Sequence, residues 1–181
     1  KTAGTVTVSN AVTISGTRSQ VTDALVTDSS KVTASTALVT ITDDSGDIDA
    51  TDLSAIGEKT SGQVTVSNAV NIQGTTAEVT EALVTDDSLV VATSATVEIS
   101  NASTVDELNA IAAKTDAVVT GSIAATSLAS LSGLTTAGTD VITITVNDAG
   151  GNVDATDLSA LGAKTAGQVT VSNAVNIQGT T

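Results

Sequence analysis

Seven residue types are missing from this chain: Phe, Trp, Tyr, Met, Cys, His and Pro. Each absence removes a chemistry. Without His there is no Ser–His or Cys–His nucleophilic pair. Without Cys there is no disulfide framework, no thiol redox chemistry and no Cys-based zinc site. Without aromatics there is no stacking platform for sugars, and Arg18 is the only arginine that a polysaccharide-cleaving β-helix enzyme could use. Paired carboxylates exist, but nothing in the sequence buries them so as to separate their pKa values for acid–base work. The chain reads as non-enzymatic.

Positive charge is scarce as well. Six Lys and Arg stand against twenty Asp and Glu, a net charge of −14. Nucleic acid is a poor partner for such a surface, because its affinity rests on Lys and Arg neutralising phosphates. Anionic membrane surfaces are disfavoured on the same ground. No run of 18 apolar residues occurs, so membrane insertion is not expected. The acidity permits cation binding and keeps a strand-rich chain soluble.

What remains is a narrow apolar set. Ala, Val, Leu and Ile supply all of the 40% hydrophobic content, and mean hydropathy is +0.29. A core without aromatics, which bury the largest areas, must be thin and uniform. Val and Thr favour strands. The apolar residues are patterned, which argues against disorder.

The pattern is a repeat. Lys1–Arg18 (KTAGTVTVSNAVTISGTR) returns as Lys59–Thr76 (KTSGQVTVSNAVNIQGTT) and as Lys164–Thr181 (KTAGQVTVSNAVNIQGTT). A second element, DATDLSAIGEKT at Asp49–Thr60, returns as DATDLSALGAKT at Asp154–Thr165 and more loosely as TVDELNAIAAKT at Thr104–Thr115. Acidic residues lead, Leu and Ile fall three apart, and Lys follows. That order suits one or two helical turns aligned with the helix dipole. VTDALV at 21–26, VTEALV at 79–84 and LASLSGL at 128–134 form a second turn type.

One leucine marks each unit: Leu25, Leu53, Leu83, Leu108, Leu131 and Leu158, spaced by 23 to 30 residues. Between them, alternating runs such as Val6–Val8, Val12–Ile14, Val39–Ile41, Val64–Val66, Val70–Ile72, Val97–Ile99 and Ile142–Val146 predict strands with one buried face. Asn10, Asn68 and Asn173 divide two such runs, and are expected at corners where stacked Asn can pair along the repeat. Gly4, Gly62 and Gly167, with Gly16, Gly74 and Gly179, are read as bends.

These observations predict an all-β fold with short helical turns: a parallel β-solenoid of about seven rungs, each of roughly 23–30 residues. The whole of 1–181 reads as one continuous array, with a partial repeat at 1–43, a repeat at 44–101, a shortened repeat at 102–147 and a partial repeat at 148–181. Tandem β-sandwich domains are the runner-up. The missing initiator Met and the stop within a repeat suggest a mature or excised segment of something longer.

The D-L-x-A-I/L-x-x-K-T element, followed by G-x-V-T-V and a Thr/Ser/Asn-rich strand, resembles the giant repetitive cell-surface proteins and large repeat adhesins of marine bacteria, cyanobacteria especially. The resemblance implies an extracellular or cell-surface location and a fibrous or coat-forming role, sometimes with calcium. The G-G-x-G-x-D nonapeptide of calcium-binding rolls is not present here.

Calcium is the strongest chemical candidate. Asp43, Asp44, Asp47, Asp49 and Asp52 crowd around Gly46, and calcium takes six to eight oxygens, mostly carboxylates and carbonyls. The related loop 148–157 keeps Asp148, Asp154 and Asp157 but has Asn152. The competing reading is a solvated loop in which Asp52 and Asp157 cap helices. Asp28, Asp86 and Asp87 read as turn residues. Lys1, Lys59, Lys114 and Lys164 recur at one phase and could stack near acids of neighbouring rungs, at little gain per pair. Asn101-Ala102-Ser103 fits a glycosylation sequon. Thr5–Thr7 and Thr143–Thr145 are short threonine arrays, read as strand exterior. The function expected is a structural segment that extends a fibre, filament or coat by end-to-end stacking, with the chain itself as partner. A calcium-dependent adhesion module is the alternative.

Overall fold

A computed structural model describes residues 3–85, 87–148 and 150–179. Six strand-and-helix units follow one another. The first holds β1 (Val6–Thr7), β2 (Thr13–Gly16) and α1 (Arg18–Leu25); the second holds β3 (Val32–Thr33), β4 (Leu38–Ile41), β5 (Asp47–Asp49) and α2 (Ala50–Gly57). The third holds β6 (Val64–Val66), β7 (Asn71–Gly74) and α3 (Thr76–Leu83); the fourth holds β8 (Val90–Val91), β9 (Thr96–Ser103) and α4 (Val105–Ala112). The fifth holds β10 (Val119–Ile123) and the four-residue α5 (Leu128–Leu131); the sixth holds β11 (Val141–Val146), β12 (Asn152–Asp154) and α6 (Ala155–Gly162). Then come β13 (Val169–Val171) and β14 (Asn176–Gln178).

The architecture is mixed α/β, about 25% helix and 30% strand. It corrects the all-β parallel β-solenoid of about seven rungs expected from the sequence. The physical reason lies in the leucine-bearing segments, which are regular helices and not incidental turns. Five of the six helices run eight residues. Three carry a full capping box: Thr17 with Gln20, Thr75 with Glu78, and Thr104 with Glu107. In each, the Thr hydroxyl accepts the N3 amide while the N3 side chain accepts the N-cap amide, so two otherwise orphaned donors are satisfied.

Every strand pairing among the described residues is parallel, and the partner lies one unit on. The sheets have two strands (β1-β3), four (β2-β4-β6-β8), six (β13-β11-β10-β9-β7-β5) and two (β12-β14). Register places like on like: Val39 faces Val64, which faces Val90, and Ile48 faces Ile72, which faces Val97. The inward residues merge into one apolar core that runs from Val21 to Leu161. Leu25, Leu53, Leu83, Leu108 and Leu131 are buried in it, one from each of the first five helices, and Leu158 packs against it half-buried. Burying each Val, Ile or Leu contributes about 1.5–3 kcal/mol.

The glycines expected at bends have another task at two positions. A Cβ at Gly62 would run into the carbonyl of Ala37, and one at Gly167 into that of Ile142. Both glycines therefore let adjacent units approach. Left-handed backbone occurs at Gly46 and Gly150, and also at Lys31 (φ 57) and Leu89 (φ 51), 58 residues apart. The carbonyls of Lys31 and Leu89 accept the amides of Val6 and Val64 in the preceding unit, at 2.8 and 3.0 Å.

Candidate functional site: the seams between units

Polar side chains concentrate where one unit meets the next. The five aspartates offered to calcium each have a partner there. Asp43 Oδ2 accepts the Arg18 amide at 2.5 Å, and Asp52 Oδ2 accepts Arg18 Nη1 at 2.8 Å, both from the preceding unit. Asp44, Asp47 and Asp49 accept the side-chain amides of Asn68, Asn71 and Gln73 in the following unit, at 3.2, 3.0 and 3.0 Å. Among the described residues no three acidic groups come together in a way that could hold a metal ion.

Asn71 continues the chain of bonds outward. Its Nδ2 is given to Asp47, and its Oδ1 accepts Thr96 Oγ1 at 3.1 Å from the fourth unit. The corner asparagines lie at bends as expected. Asn68 Nδ2 also donates to the carbonyl of Asp43 at 2.9 Å, and Asn173 Nδ2 to that of Asp148 at 3.0 Å.

The two turn types differ in how the helix start is satisfied. In α1, α3 and α5 the first helical amide is capped from the next unit. Arg18 donates to Asp43, Thr76 to Asn101 Oδ1 at 2.7 Å, and Leu128 to Asp148 Oδ2 at 2.9 Å. Helix N-termini leave amides without intrahelical partners, so a side chain arriving there locks two units while filling a vacant bond. The asparagine of the sequon and one aspartate of each acidic loop are thus seam caps. Asp52 and Asp157 do not cap α2 and α6; the N-cap residues are Asp49 and Asp154, and Asp52 and Asp157 lie inside the first turn.

Residues not weighed from the sequence are the threonines that end each Lys-Thr pair. Thr60 Oγ1 donates to the Ala37 carbonyl at 2.5 Å and accepts the Gly62 amide at 3.0 Å. Thr115 Oγ1 donates to the Ala95 carbonyl at 2.5 Å and accepts the Ala117 amide at 3.0 Å. Thr165 Oγ1 accepts the Gly167 amide and contacts the Ile142 carbonyl, each at 2.8 Å. Thr60 and Thr165 are buried. The signal was available: this position is Thr in all three DLSAIG-type units. Buried Asp140 was missed too; its carboxylate accepts the Val119 amide across a seam and the Ala137 amide within its own loop, both at 2.9 Å.

Electrostatics follow the hydrogen bonds. The Thr75 amide, and then its hydroxyl, hold the Glu78 carboxyl below its ordinary range, and Thr104 does the same for Glu107. Arg18–Asp52 is the one ion pair among the described residues. Lys59, Lys114 and Lys164 are exposed and outside any such pair. Lys1 and Asp86 lie outside the described residues. Asp28 and Asp87 are exposed turn residues, and Thr143 points outward beside buried Ile142 and Ile144.

Comparison with protein-family models, with curated proteins and with solved structures gives no match for the chain. No helix among the described residues is long and apolar enough to cross a membrane.

A cleft of about 440 Å³ opens where the short α5 meets α6. It is floored by Leu131, Leu134 and Leu161 and rimmed by Asp148, Asp154 and Asp157. Two of these acids are engaged, Asp148 with Leu128 and Asp154 Oδ1 with the Thr156 amide at 2.7 Å.

The three copies of the opening block meet the seams differently. The middle copy is paired on both sides: β6 lies between β4 and β8, and β7 between β5 and β9. Among the described residues, the first copy is paired on one side, β1 with β3 and β2 with β4. Among the same residues the third is paired on the other side, β13 with β11 and β14 with β12.

Proposed function

We propose that the chain is a structural segment of an extracellular or cell-surface repeat protein, and that its work is to extend a fibre, filament or coat by end-to-end stacking of units. One observation carries this reading. The recurrent polar residues join each unit to its neighbour along the chain. In a linear array of this kind, stability sums over units and the seams between them, so length can grow without a new design. Solution scattering tests it. A single rod supports the reading, whereas a string of compact beads overturns it. Electron micrographs of the native material should show filaments or sheets.

The competing reading is a calcium-dependent adhesion module built on Asp43, Asp44, Asp47, Asp49 and Asp52. It requires the melting temperature to fall when excess chelator is added. We expect the melting curve to be unchanged, because these carboxylates already have protein partners.

A further inference from the structure

We propose that the cleft between α5 and α6 takes a small organic cation of the alkylguanidinium class, its charged head on Asp157 and its apolar body over Leu131, Leu134 and Leu161. The proposal goes beyond the stacking reading and does not depend on it.

Two seams of the chain are built on one plan, and the difference between them carries the inference. The sixth unit repeats the second: Asp43, Asp49 and Asp52 return 105 residues on as Asp148, Asp154 and Asp157. Between the first and second units, the amide of Arg18, the first residue of α1, donates to Asp43, and its guanidinium donates to Asp52 at 2.8 Å. Between the fifth and sixth units, the amide of Leu128, the first residue of α5, donates to Asp148 in the same way. Leu128 therefore stands where Arg18 stands. The carboxylate is kept and its cation is not. Asp157 has no hydrogen-bond or ion-pair partner among the described residues. Lys164 lines the same cleft, yet it forms no ion pair among those residues either. Asp52 meets the unit before it, and Asp157 likewise faces the fifth unit across the cleft.

The second observation is shape. α1 runs eight residues, whereas α5 stops after four. Where α1 has its second turn, the fifth unit has an opening of about 440 Å³ above Leu131, Leu134 and Leu161. That volume falls within the range of small-molecule sites, roughly 300–1,000 Å³. All three leucines are buried, so the floor is rigid and apolar.

The chemistry of the occupant follows from both. Asp148 and Asp154 join Asp157 on the rim, and the chain carries a net charge of −14, so a cation is favoured and an anion repelled. A guanidinium presents a planar fork that matches a carboxylate and is weakly hydrated enough to lie on apolar surface. An exposed ion pair alone contributes little. The leucine floor supplies the rest, because the body of the ligand gains by the area it covers.

Calorimetric titration of the full chain tests the proposal, with n-butylguanidinium as the probe and neutral n-butylurea as its isostere. Saturable binding of one butylguanidinium per chain is expected, about tenfold tighter than butylurea. Asp157→Asn, on an exposed side chain, should weaken the probe roughly tenfold with the melting curve intact. Asp52→Asn should leave binding unchanged. Leu128→Arg should supply the cation from within the chain and abolish binding; should that variant fail to fold, Asp157→Asn decides. A blocked Ala-Arg-Ala tripeptide separates two sources of the same group. Tighter binding than butylguanidinium assigns the site to an arginine of a partner protein, and weaker binding assigns it to a free molecule. No saturable binding, equal binding of butylurea, no loss in Asp157→Asn, or displacement of the probe by an equal concentration of calcium would overturn the inference.

Discussion

The middle and third copies of the repeated block differ at one residue, Ser61 against Ala166, yet they occupy different environments. Val64 and Ile72 are 0% exposed, while Val169 is half-buried and Ile177 is 57% exposed. The residues are the same, and the neighbours are not. Burial here belongs to the stack of units, and a side chain acquires its contribution only when a unit is present on each side. The comparison separates local sequence from context and can be broken in several ways.

The largest expected effect is Ile72→Ala. Removing a fully buried isoleucine should cost about 2–5 kcal/mol, read as a shift in denaturant midpoint, while Ile177→Ala should cost well under 1 kcal/mol in the monomer. Equal losses would mean that both copies are covered in solution, which itself would report assembly.

Next comes the seam threonine. Thr60→Val keeps the shape and leaves the Ala37 carbonyl and the Gly62 amide without their shared hydroxyl, at a cost of about 1–3 kcal/mol. Thr165→Val removes the same kind of pin and should destabilise similarly, because Thr165 binds to the unit before it and that unit is present. The third copy should therefore behave like the middle one at its inner seam and unlike it at its outer edge. Hydrogen exchange at the Gly62 and Gly167 amides should rise in the respective variants.

How much of this was legible in the sequence depends on the range of the interaction. Leucine spacing marked the six segments that hold the helices, but as short turns of an all-β fold and not as regular helices. Alternation placed β1, β4, β6, β9 and β11, since a period of two is written into consecutive residues. The balance of α to β was misjudged because Val and Thr dominate composition, whereas the helix-forming stretches are short and their capping boxes lie in Thr-rich text. The aspartates were harder. Read along the chain, five of them in ten residues suggest one ion. In space, Asp49 meets Gln73 and Asp52 meets Arg18, 24 and 34 residues away, and the partners are invisible until the register is known. Asn101 looked like a sequon for the same reason: its bond to Thr76 crosses a seam.

Capping comes third. Thr75→Ala should cost about 1 kcal/mol, the usual worth of an N-cap, and Thr17→Ala in the less covered first unit should cost no more. A smaller effect is expected from Arg18→Met, since the Arg18–Asp52 pair is partly exposed, with side-chain exposures of 36% and 28%, and such pairs contribute under about 1 kcal/mol.

The smallest effect is the most diagnostic of the three capping boxes. Gln20, Glu78 and Glu107 do the same job in α1, α3 and α4, but only the two glutamates titrate. Hydrogen bonds from Thr75 and Thr104 lower the folded-state pKa of each glutamate. A carboxyl lowered in the folded state binds its proton less readily there than in the unfolded chain. Its stabilisation is therefore complete above the unfolded value and is lost as pH falls through the folded one. Melting temperature should decline on acidification below the ordinary carboxylate range, and the Glu78→Gln/Glu107→Gln variant should decline less steeply. At neutral pH that variant should fold as well as α1 does with Gln20. An unchanged acid slope would show that these two caps do not set the acid limit of the fold.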